Sequence, residues 1–339
     1  MLESVSISVP RRLTFETSVQ FACELKKQPD ALSYIFDFGD VGRIEPFALL
    51  YLSSELQRYR SKKSECQFTA INYESCSYAG HMGFFKAFGL DFGKSPGEAN
   101  GSSTYIPITI LDSETIQEKA ADNYEAVGDF IEKQAEDMAK ILTRSSSGDL
   151  FDTLTYSIRE IIRNVIEHSD SKQFGFCAQY WQSYGTVELA ILDRGIGIKE
   201  GLSSNPYLGI LDDREALNLC LMPGISGKAY KGVRQDPHDV WANSGYGLYM
   251  TSRLCREGGS YFIASGNIGL YLSEKKRRYL ETPFKGTAIR LTLNIDRLAS
   301  LSEMLSKFRD DAKDMDFTNN KVSSASKAST MLARDFNDA

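Results

Sequence analysis

Glu160, Asn164 and His168 recur every four residues through a segment whose apolar residues, Ile158, Ile161, Ile162, Val165 and Ile166, keep helical spacing. At about 100° per residue the three polar residues form one row that drifts by about 40° per step and borders the apolar stripe. Arg159, Arg163 and Glu167 are expected to point elsewhere, toward solvent. A carboxylate and a carboxamide one turn apart at the edge of a core can face one cleft. That is the arrangement needed to hold a metal and orient a water; the plain alternative is a solvated Glu and Asn on an amphipathic helix.

Two glycine-bearing blocks follow. Val187-Glu-Leu-Ala-Ile-Leu192 reads as a strand and runs into Asp193-Arg-Gly195-Ile-Gly197. An aspartate at a strand end can accept a hydrogen bond from the exocyclic amine of a base, and the glycines let backbone approach a ring closely. The same spacing occurs in calcium loops, but no further carboxylates follow at EF-hand positions. Asn243-Ser-Gly245-Tyr246-Gly247-Leu248 is a glycine turn opening a helix, whose free N–H groups and positive dipole end suit a phosphate. Lys285-Gly286-Thr287 then enters a half-buried strand, Ala288 to Leu293.

Taken in this order, Glu160-Ile-Ile-Arg-Asn164, Asp193-Arg-Gly-Ile-Gly197, Gly245-Tyr-Gly-Leu248 and Lys285-Gly-Thr287 resemble the four boxes of the GHKL ATPase superfamily, which includes gyrase B, heat-shock chaperones, histidine kinases and MutL. The resemblance spans roughly residues 148 to 295. It implies an α/β fold of the Bergerat type, a mixed sheet covered by helices on one face, with ATP and Mg2+ as ligands. It further implies that Asn164 ligates Mg2+ together with the phosphates, that Glu160 activates the attacking water, and that His168 belongs to the nucleotide helix. Asp193, Gly195, Gly197 and Thr287 would serve the adenine side; Gly245, Tyr246, Gly247 and Leu248 would cradle phosphate. The long stretch between Gly197 and Gly245, with an expected helix from Asp213 to Met222, would be the ATP lid. Gly224, Gly227 and Gly232 would be its hinges, and Lys228 or Lys231 its reach toward phosphate. The P-loop pattern GxxxxGK[ST] does not occur.

Residues 1–98 alternate strand and helix patterns: a strand at Tyr34–Phe38, a helix from Pro46 to Leu56, a strand at Cys66–Asn72 and a helix near Gly83–Phe88. This half loosely resembles the STAS-like domains of anti-sigma-factor antagonists, through the strand-turn-helix with Asp37 and the segment Ala79–Phe88. Where the regulatory antagonists carry a phosphorylatable Ser before the helix, this chain reads Glu45-Pro46-Phe47-Ala48. Residues 99–147 read as a linker with a short apolar strand, Tyr105–Ile110, and one long connecting helix from Ser113 to Leu142. Residues 148–296 are the ATP-binding unit. The remainder, 297–339, reads as an amphipathic helix, Arg297 to Phe308, and a Ser/Lys/Asn-rich disordered tail.

The chain has 339 residues, 42% hydrophobic and 25% charged, with a net charge of −6. An acidic balance argues against a general nucleic-acid or anionic-membrane binder. No apolar run approaches transmembrane length and the start lacks signal-peptide regions, so a cytoplasmic protein is expected. The six cysteines are scattered without CxxC and read as buried thiols. The first functional expectation is an ATP-driven conformational switch that dimerises, hydrolyses ATP slowly and signals to a protein partner through the STAS-like half. The second is a protein serine kinase of the anti-sigma-factor type, to which Asn164-Val-Ile-Glu-His168 is similar; the third is a nucleotide sensor without turnover. Histidine autokinase chemistry fits least, since no His-Glu helix lies upstream and His81 and His238 read as structural or surface residues.

Overall fold

The first strands of the chain pair in parallel, which requires a crossover between each pair and so alternates strand with helix. The computed structural model describes residues 2–230, 232–233, 241, 243–294, 297, 300–315 and 325–336. Strands β1 (Leu2–Ser8), β3 (Ala31–Asp37) and β5 (Gln67–Ile71) form a parallel sheet in the order β1-β3-β5, and short β2 (Arg12–Leu13) pairs with β4 (Arg43–Ile44). Helix α1 (Phe15–Lys26) opens on a capping box between Thr14 and Thr17. Helix α2 (Pro46–Lys62) has proline in its first turn, where the missing N–H costs nothing. Two short helices, α3 (Ser77–His81) and α4 (Phe84–Ala87), complete this unit. The strand and helix segments expected in residues 1–98 are all present.

A second sheet has seven strands in the order β11-β10-β9-β12-β8-β7-β6. They are β6 (Tyr105–Asp112), β7 (Gln173–Trp181), β8 (Thr186–Asp193), β9 (Gly259–Ser265), β10 (Ile268–Ser273), β11 (Arg277–Glu281) and β12 (Thr287–Asn294). The short strand read as part of a linker is thus the sheet's edge. Every pairing is antiparallel, which corrects the expected mixed sheet. The reason is topological: β8 and β9 run in the same direction, but β12 lies between them and bonds to both. Its register sets Thr287 directly opposite Asp193.

The single helix expected over Ser113–Leu142 is two, α5 (Ser113–Asp122) and α6 (Val127–Thr143), separated where Tyr124 takes a left-handed φ of 55°. Helix α7 (Asp149–His168) begins with Asp149 and Asp152 at its positive end. After β8 come α8 (Ile198–Ser203), α9 (Asp213–Leu219) and α10 (Gly247–Gly258); after β12 comes α11 (Leu301–Asp314). No helix among the described residues is long and apolar enough to cross a membrane.

The seven-stranded sheet is buried on both faces, not one, which corrects the second part of that expectation. Leu189, Ile191, Ile263, Ile289 and Leu291 join Leu154, Ile158, Ile161 and Ile162 of α7 in one core. Their neighbours one residue along, Ala190, Leu192, Phe262, Ala264 and Ala288, point the other way, into the core of the N-terminal unit. Period-2 alternation with apolar residues at both parities is what a sheet covered on both sides demands. On that second face Glu188 sits at the start of α2: one carboxylate oxygen accepts from the Phe47 N–H at 3.0 Å and the other pairs with Arg290 at 2.7 Å.

Candidate functional site

Helix α7, the end of β8, the first residues of β12 and the start of α10 line a cleft. Its floor is apolar, with Ile161, Val165, Ile191, Leu202, Leu248 and Ile289, and a few polar groups converge on it, the usual make-up of a small-molecule site. Of the residues singled out from sequence, Glu160, Asn164, His168, Asp193, Gly197, Gly245, Gly247, Leu248 and Thr287 line this one cleft. Gly195, Gly224, Lys228 and Tyr246 do not. Lys231 and His238 lie outside the described residues.

Asp193 ends β8, and only 3% of its surface is exposed. Burial pushes its carboxyl up to about 6, opposed by the backbone N–H groups of Gly195 and Thr287 and, more weakly, by Arg194. Gly195 donates to Asp193 Oδ1 at 2.8 Å. A Cβ on Gly195 would collide with the Ser169 carbonyl, which already accepts from Ile196 N–H at 2.8 Å. Gly195 therefore lets the turn dock on the end of α7 and does not itself face the cleft. The adjacent Arg194 leaves the cleft altogether, pairing with Glu55 of α2 at 2.7 Å and donating to Ser54 at 2.8 Å.

At the other end, Asn164 Nδ2 donates to the Glu160 carbonyl one turn back at 2.6 Å. With Nδ2 committed to that carbonyl, the acceptor left on the side chain is its oxygen, the donor type a hard divalent cation takes. Glu160 is buried at 3% exposure, and its Oε1 receives Arg159 at 2.9 Å and Arg163 at 3.5 Å. Its Oε2 faces Gly247, where a Cβ would strike it. The oxygen without an arginine partner is the one turned toward the start of α10.

The expectation that Arg159, Arg163 and Glu167 face solvent is corrected. Arg159 is fully buried and Arg163 nearly so, because α6, α10 and the chain end pack around α7 on the sides away from the sheet. Arg159 pairs with Glu132 of α6 at 2.5 Å as well as with Glu160, and Arg163 pairs with Glu167 at 2.9 Å. The result is a chain of alternating charge, Glu132–Arg159–Glu160–Arg163–Glu167, buried up to the half-buried Glu167. Burial, together with Lys228 and Arg163, lowers His168 to about 4, so its imidazole is neutral at pH 7, and Nε2 meets Asn243 Nδ2.

Compared with known proteins, the chain matches no family model and no curated protein.

The intervening segment reaches the cleft through Ser226 and Gly227. Gly224 N–H donates to the Gly245 carbonyl at 3.1 Å, tying this segment to the glycine turn. Lys228 Nζ donates to the Glu167 carbonyl at the rim. Tyr246 turns away to meet Tyr249 edge-on, with ring centroids 6.2 Å apart. His81 bonds Tyr105 Oη at 2.7 Å, far along the chain from the cleft residues, as a structural histidine would.

Sequence reasoning missed the contribution of the chain end. Residues 325–336, placed by their composition in a disordered tail, pack against α7: Ala328 is fully buried, Leu332 is 2% exposed, and the Ser329 carbonyl accepts from Tyr156 Oη at 2.9 Å. Ser329 itself lines the cleft, its Oγ 2.9 Å from Ser244 Oγ. Only the isolated apolar residues Ala328, Met331 and Leu332 among the polar ones signal this packing in the sequence.

Proposed function

We propose that the chain is a GHKL-type nucleotide-binding protein in which Mg-ATP occupies the cleft of α7, β8, β12 and α10 and drives a conformational change with slow hydrolysis. The single observation that supports this most is convergence. Three blocks that were separately ambiguous, Glu160/Asn164, Asp193/Thr287 and Gly245/Gly247, line one cleft.

In this reading each residue has a task. The buried Asp193 carboxylate accepts from the adenine exocyclic amine, and the apolar floor of Ile191, Leu202 and Ile289 takes the ring. The N–H groups at the start of α10 face the phosphates, with the helix dipole favouring their charge. Asn164 Oδ1 would hold Mg2+ alongside phosphate oxygens; the bound ion would supply charge neutralisation at the phosphates. Glu160 Oε2 orients and deprotonates the attacking group. Arg194, reaching from the adenine-side turn to α2, carries the occupied state to the N-terminal STAS-like unit and through it to a protein partner. A cytoplasmic location and a homodimer belong to the same proposal.

Isothermal calorimetry with ATP tests it: magnesium-dependent heat is expected for the intact chain and its loss for Asn164→Ala. Absence of heat in the intact chain overturns the reading. The runner-up, a protein serine kinase, is favoured by one observation, the Ser329 hydroxyl inside the cleft.

A further inference from the structure

Residues 325–336 place a serine hydroxyl in the lining of the cleft proposed for the nucleotide. Ser329 is 3% exposed, lines the cleft together with Glu160 and Gly247, and its Oγ lies 2.9 Å from Ser244 Oγ, next to the glycine turn. Its backbone is held by the same group that holds the candidate base. Arg159, fully buried, donates to the carbonyls of Ala328 and Met331 on either side of Ser329 while its guanidinium also pairs with Glu160. Tyr156 Oη donates to the Ser329 carbonyl, and Ala333 N–H donates to Glu132, at the far end of the charge chain. The segment is fastened by four hydrogen bonds to the helix that carries Glu160 or to the helix beside it.

We propose that residues 325–336 are the site's own substrate and that Ser329 accepts the γ-phosphoryl group of bound ATP in cis. This rests on the nucleotide reading above. The Ser329 Oγ–Pγ bond forms as the bridging Pβ–O–Pγ bond breaks; ADP departs with the bonding pair, and the serine proton passes to Glu160 in the same cleft. Such a transfer asks more of positioning than of base strength, which suits a carboxylate flanked by two guanidinium groups. Water takes the place of the serine hydroxyl when Ser329 is absent.

The test uses the full chain, Mg2+ and γ-labelled ATP, with calorimetry on the same samples. Trypsin cleaves after Lys327 and after Arg334, so the peptide Ala328–Arg334 carries Ser329 and excludes Ser326. The expected result is label in that peptide at Ser329, with a rate per chain unchanged on dilution. Label should fall to background in Ser329→Ala while free phosphate persists, and should remain in Ser326→Ala. Nucleotide binding with label absent from Ser329, or label at Ser326 or Thr330 instead, overturns the acceptor assignment and leaves ATP binding standing. A labelling rate that falls on dilution overturns transfer in cis. No nucleotide heat at all overturns both readings.

Discussion

The two faces of the seven-stranded sheet bury charge in opposite ways. On the α7 face, five ionisable side chains form a chain from Glu132 to Glu167 that opens on a cleft. On the other, charges are buried as separate pairs, Glu188 with Arg290 and Glu55 with Arg194, the first among aromatic rings: Phe15 stacks 5.4 Å from Tyr271, and Phe47 meets Phe262 edge-on at 5.6 Å. Taking a charge from water is costly unless every lone pair finds a donor. The far face meets that cost by spending Glu188 on the start of α2; the near face leaves an oxygen of Glu160 turned to an open space. A buried carboxylate with one oxygen turned toward the start of α10, in the lining of the cleft, is what the proposed site requires.

That contrast can be broken most forcefully at the arginines. Arg159→Ala strands two buried carboxylates and frees the chain end, and should destabilise by about 3–5 kcal/mol, lowering the melting temperature by on the order of 10 °C. It should also expose the 325–336 segment to trypsin. Glu188→Ala should cost a similar amount by calorimetric melting, since it strands Arg290 and uncaps α2, yet leave nucleotide affinity unchanged. Equal losses of affinity in both variants would contradict the division of labour between the faces.

Next in size is Asp193→Ala, expected to weaken adenosine binding by about 10–100-fold, the worth of a hydrogen bond to a charged group. The pH dependence sharpens it. Asp193 is raised to about 6 in the fold from an ordinary 3.8, so the ligand-free protein binds the extra proton between those values. Its contribution to stability is complete below about 3.8 and is lost as pH rises through 6. A donor from the ligand favours the ionised form, so adenosine, which has no phosphate to titrate, should bind more weakly as pH falls below 6. That dependence should vanish in Asp193→Ala. His168 works in the reverse sense: lowered to about 4 from 6.5, its contribution is present above 6.5 and lost as pH falls toward 4. Replacing it with Gln should flatten the acid side of the stability curve measured by denaturant titration.

The smallest effect is expected from Arg194→Ala. Its guanidinium is partly exposed and the buried Glu55 keeps Arg58 at 3.7 Å when Arg194 is removed, so about 1 kcal/mol is the expected scale. Adenosine affinity should hold, while hydrogen exchange in α2 should cease to respond to ligand. A continued response would remove Arg194 as the link.

Much of this was legible in the chain. Helix period at Ile158–Ile166, the strand into Asp193 and the glycine turn at Gly245 each foretold its element, and the cleft gathers them. Arg159 was misread because a helical wheel ranks residues by one apolar stripe, whereas α7 is enclosed on several sides and its far side is satisfied by charge pairing. The Tyr124 break was invisible because nothing in Asp122-Asn-Tyr-Glu125 forbids a helix; packing of α5 on α6 decides it. The chain end was misplaced because its partner Arg159 was assigned to solvent, and composition alone cannot see a docking surface. The sheet direction was missed because the insertion of β12 between β8 and β9 is a property of pairing, which no local pattern records.

One consequence follows from the seat of Glu188 against Phe47. A gene cut near position 98 would yield two products, each presenting a slab of unpaired rings to water, and neither would stay dispersed. The N-terminal unit and the sheet beyond it should therefore melt in a single calorimetric step.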